Sequence, residues 1–308
     1  MERPGTPLGE RIQASGVRPK PNWLRVRLAA GERYQRIEGL LRHHQLHTVC
    51  EEARCPNIGE CFNAGTATFI ILGDVCTRSC GFCAVRSGRP QQGLDRVEPD
   101  RVAKAVSILG LDYVVITSVT RDDQPDGGAG IFAGCIRAIR RQSPYCRVEV
   151  LIPDFMGNWD ALTTVVEARP FVLNHNVETV PRLYRRVRPK ARYRRSLELL
   201  RHAKELDHSL LTKSGIMVGL GESQEEMFEV MTDLRGAGVD FITIGQYLRP
   251  SGKHLPVERY YPPEEFIPFI ERGRELGFRH VEAGPLVRSS YHALRQVGLE
   301  AAAGRGGS

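Results

Sequence analysis

From residue 66 onward the chain alternates short β-branched runs with amphipathic helical stretches, and this alternation narrows the available folds more than any other feature. The runs predict strands at Thr66–Leu72, Tyr113–Thr117, Val148–Ile152, Phe171–Asn174, Ile216–Val218 and Phe241–Ile244. Between them apolar residues recur at helical spacing. Val102, Ala105, Val106 and Leu109 share one face, and so do Ile131, Phe132, Cys135, Ile136 and Ile139. Leu162, Val165 and Val166 lie on a helix that Pro170 closes, residues 194–206 form another, and Phe266, Phe269 and Ile270 mark a late one. Ser223 and Glu226 make a capping box ahead of Met227, Val230, Met231 and Leu234. Upstream, Tyr34, Ile37, Leu40 and Leu41 predict a helix over 33–46. About six βα units imply a parallel sheet with helices outside, either open and doubly wound or a full or partial barrel. Both architectures put chemistry at the carboxyl ends of the strands.

No apolar run approaches the roughly 20 residues that cross a bilayer, so no membrane association is expected. The first 30 residues are rich in Arg, Pro and Gly with no apolar segment, and read as a flexible basic arm. Glu2, Glu10 and a scarcity of Ser speak against an organelle-targeting peptide, so the expected location is the cytoplasm. The net charge of +7 is compatible with an acidic partner, nucleic acid or plain solubility.

The chain has eight cysteines, and in a reducing compartment close cysteine spacings point to metal or redox chemistry rather than disulfides. Cys76, Cys80 and Cys83 form a CX3CX2C run directly after the first expected strand, with the aromatic Phe82 before the last thiol. Three thiolates in one loop can hold three irons of a [4Fe–4S] cube and leave the fourth open to a small chelating molecule. A structural zinc loop is the alternative, but zinc takes four ligands, usually in paired cysteines. Cys50, Cys55 and Cys61 form a second, CX4CX5C run, again one ligand short. Cys135 lies on an apolar helix stripe and Cys146 at a strand start, so both are read as structural. His43 and His44 are read as solvent-facing, and His47 as an outer support for the cluster loop.

The CX3CX2C run resembles the signature of the radical S-adenosylmethionine superfamily. The phrase LHTVCEEARCPNIGEC further resembles the lipoyl synthase family, and the similarity covers nearly the whole chain. It includes TSVTRDDQPDGGA at 117–129, NHNVETVPRLY at 174–184, SGIMVGLGES at 214–223, QYLRPS at 246–251 and AGPLVRSSYHA at 283–293. Phe62 stands where the family more often has Trp, so an aromatic is kept.

This resemblance implies an α/β fold, a partial (β/α)6 TIM-like barrel with an N-terminal cluster-binding extension and a C-terminal closing segment. The expected boundaries are 1–30 for the arm, 31–65 for the extension, 66–284 for the barrel and 285–308 for the closing segment. It implies radical insertion of two sulfur atoms at C6 and C8 of a protein-bound octanoyl-lysine. Acid–base catalysis cannot reach such unactivated carbons, so cofactor radical chemistry is required. Two molecules of S-adenosylmethionine would be consumed, one [4Fe–4S] cluster on Cys76, Cys80 and Cys83 would cleave them, and an auxiliary [4Fe–4S] cluster on Cys50, Cys55 and Cys61 would give up its sulfur. The family's fourth auxiliary ligand falls in Arg288-Ser289-Ser290-Tyr291, placed here on Ser290 with Ser289 the rival; taken alone, a Ser pair is more often a helix cap.

Expected S-adenosylmethionine contacts are Phe82, the Asp126-Gly127-Gly128 turn beside the methionine moiety, and Asn176 and Glu178 on the ribose hydroxyls. The glycines equally fit a tight turn, and Asn176 and Glu178 a loop-end cap. Gly219–Glu222 reads as an adenine approach or a turn before the capped helix. Expected partners are octanoylated lipoyl-carrier domains (2-oxoacid dehydrogenase E2 subunits and the glycine cleavage H protein), a ferredoxin- or flavodoxin-type electron donor and an iron–sulfur carrier. The basic run Arg185, Arg186, Arg188, Lys190, Arg192, Arg194 and Arg195 reads either as a solvated face or as a surface steering the acidic carrier. No nucleic acid is expected, since the run holds Pro189 and few aromatics to stack bases. Competing functions are a different sulfur-inserting radical enzyme such as a biotin synthase, and a non-catalytic metal protein that holds RNA on its basic face.

Overall fold

A computed structural model describes residues 20–24, 35, 38–39, 42, 47–48, 57–58, 60, 68–290 and 293. The strands are β1 (His47–Thr48), β2 (Thr68–Ile71), β3 (Val75–Cys76), β4 (Arg86–Ser87), β5 (Tyr113–Ser118), β6 (Arg147–Leu151), β7 (Val172–Asn174), β8 (Leu211–Val218), β9 (Phe241–Gln246) and β10 (His280–Gly284). The helices are α1 (Glu98–Leu109), α2 (Ala129–Gln142), α3 (Trp159–Glu167), α4 (Tyr184–Val187), α5 (Tyr193–Leu206), α6 (Gln224–Gly236) and α7 (Ile267–Glu275). The main sheet runs β1-β2-β5-β6-β7-β8-β9-β10, parallel from β2 to β10, with β1 antiparallel on the edge. Among the described residues β2 and β10 do not pair, so the barrel is open there, as a partial barrel requires. The seventh parallel strand, β10, exceeds the six units expected; its sequence, HVEAG, holds one β-branched residue and gives no periodic signal.

The strand register divides each strand between two surfaces. Val114, Ile116, Val148, Val150 and Leu173 point outward and join the helices in one continuous core. Facing inward, Tyr113 and Val115 pack with Ala293 of the C-terminal segment in a separate cluster. The inner wall is otherwise polar. Lys213 Nζ meets Glu149 Oε1 at 2.9 Å, Tyr113 donates its hydroxyl to Glu149 Oε2 at 2.6 Å, and Asn174 Nδ2 donates to Oε1 at 3.1 Å. A carboxylate taken wholly out of water needs such partners, since an unpaired buried charge is strongly disfavoured. This polar start hides the first part of β8, which begins at Leu211 rather than near Ile216.

Local signals account for several boundaries. The capping box closes in both directions, with Ser223 N donating to Glu226 Oε2 at 2.9 Å and Glu226 N to Ser223 Oγ at 3.2 Å. α3 stops ahead of Pro170 as expected, with Arg169 at φ 57°. Of the helix expected over 33–46, residues 35, 38, 39 and 42 are described and helical, while Tyr34, Ile37, Leu40 and Leu41 lie outside the described residues. Most of the 1–30 arm, and Cys50, Cys55, Cys61 and Phe62, also lie outside them. Asn22–Leu24 forms a single 3-10 turn with Leu24 buried. Among the described residues no helix is long and apolar enough to cross a membrane.

Candidate active site

At the carboxyl end of β2 the chain turns through Leu72 (φ 72°) and Gly73 (φ 95°) into the loop carrying Cys76, Cys80 and Cys83. All three are free, half-buried thiols. Cys83 N donates to Cys80 O at 3.1 Å, and Cys76 Sγ accepts from the amides of Arg78 at 3.4 Å and Thr120 at 3.3 Å. Burial pushes the Cys83 thiol up to about 12, against a main-chain hydrogen bond from Val85 and with the other two thiols adding to the rise. Burial also raises Cys80, opposed by Arg188 and reinforced by Glu178. The thiols therefore sit close enough to feel one another, in a site where a bound cation would convert them to thiolates.

Two neighbouring segments clamp this loop. Gly81 N donates to Val187 O at 2.9 Å, and Leu255 N donates to Gly81 O at 2.9 Å. A Cβ on Gly81 would lie 2.8 Å from Leu255 Cδ1, so any larger residue there would push the Leu255 side chain aside. His254 Nε2 bonds Cys83 O at 3.0 Å while Nδ1 bonds Ser251 Oγ at 2.9 Å. Since a carbonyl only accepts, the Nε2 proton is on that nitrogen. Phe82 is half-buried against the main core.

Arg78, between the first two cysteines, is the loop's buried anchor. Its guanidinium donates twice to Asp122, at 2.8 Å each, and once to Asp154 at 2.5 Å. Arg195 Nε approaches Asp154 Oδ2 at 3.1 Å, an ion pair not aligned as a hydrogen bond. Burial works against the charge on Asp154, but the Arg78 bond and the surrounding cations outweigh it and hold the carboxyl below its usual range. Asp154 opens a turn in which Phe155 (φ 44°) and Met156 (φ 55°) are both left-handed, a strained geometry of the kind found where side chains must be aimed.

Across the barrel mouth, β7 leads into Asn176 and Glu178. Asn176 Nδ2 donates to Glu178 Oε1 at 3.1 Å, while the buried Asn176 Oδ1 has no partner. Gly215 makes the space beside it, since a Cβ there would lie 2.8 Å from Asn176 Oδ1 and 3.0 Å from Thr243 Oγ1. Burial raises the Glu178 carboxyl against the pull of Arg188. Arg188 donates to Asn176 O at 2.8 Å and Val177 O at 3.2 Å. The basic run is therefore not one solvated face. Arg188 and Arg195 turn inward, Lys190 Nζ donates to Thr77 O at 2.7 Å, and Arg186 pairs with Glu258 at 2.7 Å.

The Asp126-Gly127-Gly128 segment is a tight turn. Gly127 (φ 59°) and Gly128 (φ 89°) are left-handed, and Asp126 accepts from Gly128 N and Gly130 N at 2.9 Å each, closing the start of α2. It packs on Leu72 and Phe155, next to the cysteine loop. Gly219–Glu222 is also a turn, with Glu222 accepting from Gly219 N at 2.5 Å and Leu220 N at 2.9 Å. Gln246 Nε2 and Arg259 O crowd Gly219 so closely that no side chain fits.

The C-terminal segment crosses the end of β9. A Cβ on Gly245 would lie 2.1 Å from Val287 O, which brings Ser289 and Ser290, both half-buried, to the barrel mouth. Asn57, two residues past Cys55, donates Nδ2 to Leu286 O at 2.7 Å. Sequence reasoning missed Arg78, Thr77, Asp122, Asp154 and His254. Arg78 was legible as a cation inside the cysteine run; the others carry no signal until the loops meet.

Three thiols in one loop, an unpartnered buried Asn176 oxygen and a glycine-made space suit a thiolate-bound cluster with a polar small molecule beside it. Residues 70–234 match the model of the Radical SAM superfamily, and residues 10–55 match that of the N-terminal domain of lipoyl synthase of that family. The fold is similar to that of Streptococcus suis SuiB bound to S-adenosylmethionine, with a TM-score of 0.53 and 12% identity over 74% of this chain and 53% of that one. The chain belongs to the radical S-adenosylmethionine superfamily of enzymes. It is 63% identical to the lipoyl synthase of Rubrobacter xylanophilus over 92% of this chain and 88% of that protein. Against the lipoyl synthase of Symbiobacterium thermophilum it is 60% identical, over 96% and 91% respectively. Within the superfamily it belongs to the lipoyl synthase family, sulfurtransferases that work with S-adenosylmethionine and [4Fe–4S] clusters.

Proposed function

We propose that the chain divides lipoyl synthesis between its two cysteine runs. Cys76, Cys80 and Cys83 hold the cluster that binds S-adenosylmethionine; Cys50, Cys55 and Cys61, with Ser290 as fourth ligand and Ser289 its rival, hold the auxiliary one. When bound, these groups supply the radical chemistry and the sulfur for C6 and C8 of the octanoyl chain. Asn176 and Glu178 orient the ribose, the Asp126–Gly128 turn and Phe82 border the methionine end, and Gly215 keeps the space open. The observation that carries this reading is that the cysteine loop bonds Val187 O through Gly81 N, while the adjoining Arg188 donates to Asn176 O and Asn176 to Glu178. The Asn57–Leu286 bond supports the auxiliary assignment, because it joins the neighbourhood of Cys55 to that of Ser290.

Family membership makes an octanoylated lipoyl-carrier protein the substrate. We extend this to 2-oxoacid dehydrogenase E2 domains and the glycine cleavage H protein, with a ferredoxin- or flavodoxin-type donor and an iron–sulfur carrier. Arg185, Arg192 and Arg194 are exposed, and they are the part of the basic run left to steer an acidic carrier, since Arg186 pairs with Glu258. The deciding experiment reconstitutes the chain anaerobically and supplies an octanoyl-lysyl peptide, S-adenosylmethionine and a reductant. Wild type should form lipoyl product; Cys55→Ala should form 5′-deoxyadenosine without inserting sulfur. A Cys55→Ala protein that still makes lipoyl product would refute the division of labour.

A further inference from the structure

The loop after β5 is woven into the cysteine loop through Thr77 and Arg78. Thr77 N and Thr77 Oγ1 both donate to Thr120 O, at 3.0 and 2.9 Å. The same hydroxyl accepts from Asp122 N at 3.1 Å. Its roles are fixed, because a carbonyl can only accept and an amide only donate. Asp122 in turn grips Arg78 through two bonds of 2.8 Å. The two amides that reach Cys76 Sγ belong to Thr120 and Arg78, at 3.3 and 3.4 Å. Thr77 therefore fastens both donors, one through Thr120 O and the other through Asp122. The Thr120 amide comes from a different βα unit than the loop that carries Cys76.

Binding iron does not require this arrangement, since thiolates ligate without it. Amide hydrogen bonds to a cluster's thiolate stabilise the negative charge added on reduction, and so raise the reduction potential. The geometry points to Thr77 as a positioning residue that sets the reduction potential of the cluster on Cys76, Cys80 and Cys83, by holding the Thr120 and Arg78 amides on Cys76 Sγ. This rests on the assignment of those cysteines to the S-adenosylmethionine-binding cluster.

The test uses full-length protein with both clusters loaded, its iron and sulfide counted. The redox titration follows the electron paramagnetic resonance component that changes on adding S-adenosylmethionine, which singles out the cluster concerned. Thr77→Val, which keeps the shape and removes the hydroxyl, should titrate at a more negative potential with full iron content. Thr77→Ser, which keeps the hydroxyl, should titrate with wild type. A fully loaded Thr77→Val at the wild-type potential overturns the inference, and so does a Thr77→Ser shifted as far as Thr77→Val. A second measurement needs no variant: wild type labelled with 15N-threonine should show a weak 15N coupling on that component, and its absence overturns the inference as well. If S-adenosylmethionine changes no component in loaded wild type, the cluster assignment itself fails, and this inference with it.

Discussion

The side-chain amide of Asn57 donates to the main-chain carbonyl of Leu286 at 2.7 Å, joining segments 229 positions apart. Asn57 is buried, so removing the amide leaves Leu286 O short of a partner at a cost of about 1–3 kcal/mol. Asn57→Leu should leave 5′-deoxyadenosine formation near wild type and lower lipoyl product roughly tenfold, the usual scale for outer-shell changes at a metal site. Both products are measured in one reaction, and an equal fall in the two would show a general loss of structure.

His254 holds Cys83 O from the segment after β9. His254→Ala should release iron to a chelator roughly 10–100-fold faster than wild type. His254→Gln, which keeps a donor, should recover part of the difference. Equal release from all three proteins would assign His254 no part in holding the loop.

Glu178→Gln should raise the KM for S-adenosylmethionine about tenfold or more, as loss of a charge-assisted hydrogen bond of about 1.5–3 kcal/mol requires. Initial rates of 5′-deoxyadenosine formation report this directly. An unchanged KM would return Glu178 to the role of a loop-end cap.

The Lys213–Glu149 pair inside the barrel predicts a stability effect. Lys213→Met leaves the Glu149 carboxylate buried without its cation and should destabilise the chain by about 3–5 kcal/mol in urea unfolding. Adding Glu149→Gln, which removes the charge and keeps one acceptor oxygen, should recover part of that loss. A double variant less stable than Lys213→Met would show that the charge of Glu149 is compensated in another way.

His175 is buried, with Nδ1 2.8 Å from Ile152 O and Nε2 2.9 Å from Ser196 Oγ, and burial pushes it down to about 4. The unfolded chain takes up a proton near pH 6.5 that the folded chain refuses until about pH 4. Stability should therefore fall as pH drops from 6.5 to 4, by on the order of 3 kcal/mol for this group, and stay flat in this contribution above pH 6.5. Urea midpoints at pH 7 and pH 5 should differ more for wild type than for His175→Gln. Equal differences would mean another group governs that window.

Much of the barrel was legible because burial against outer helices imposes a period on the sequence. Val114, Ile116, Val148 and Val150 are apolar since each packs on a helix, and α2 shows its inner stripe in Ile131, Cys135 and Ile139 for the same reason. The start of β8 escaped notice because Lys213 faces the polar barrel interior and pairs with Glu149, and β10 because HVEAG holds one β-branched residue and no periodic signal. The basic run from Arg185 to Arg195 was misleading as a unit. Spacing along the chain does not say that Arg188 turns inward to Asn176 O and Val177 O while Arg185 stays in solvent.

The sequence by itself determined the order of βα units, the thiol spacing of Cys76, Cys80 and Cys83 and the capping of α6, because each depends on residues a few positions apart. Only the tertiary structure decided which groups surround those thiols. Thr77 meets Thr120 and Asp122, Arg78 meets Asp154, His254 meets Cys83, and Asn57 meets Leu286, all between segments far apart in the chain. Hydrogen bonds of this kind need two loops held at about 3 Å, and the sheet that brings them there is set by apolar burial elsewhere. The residues themselves carry no periodic trace of the contact.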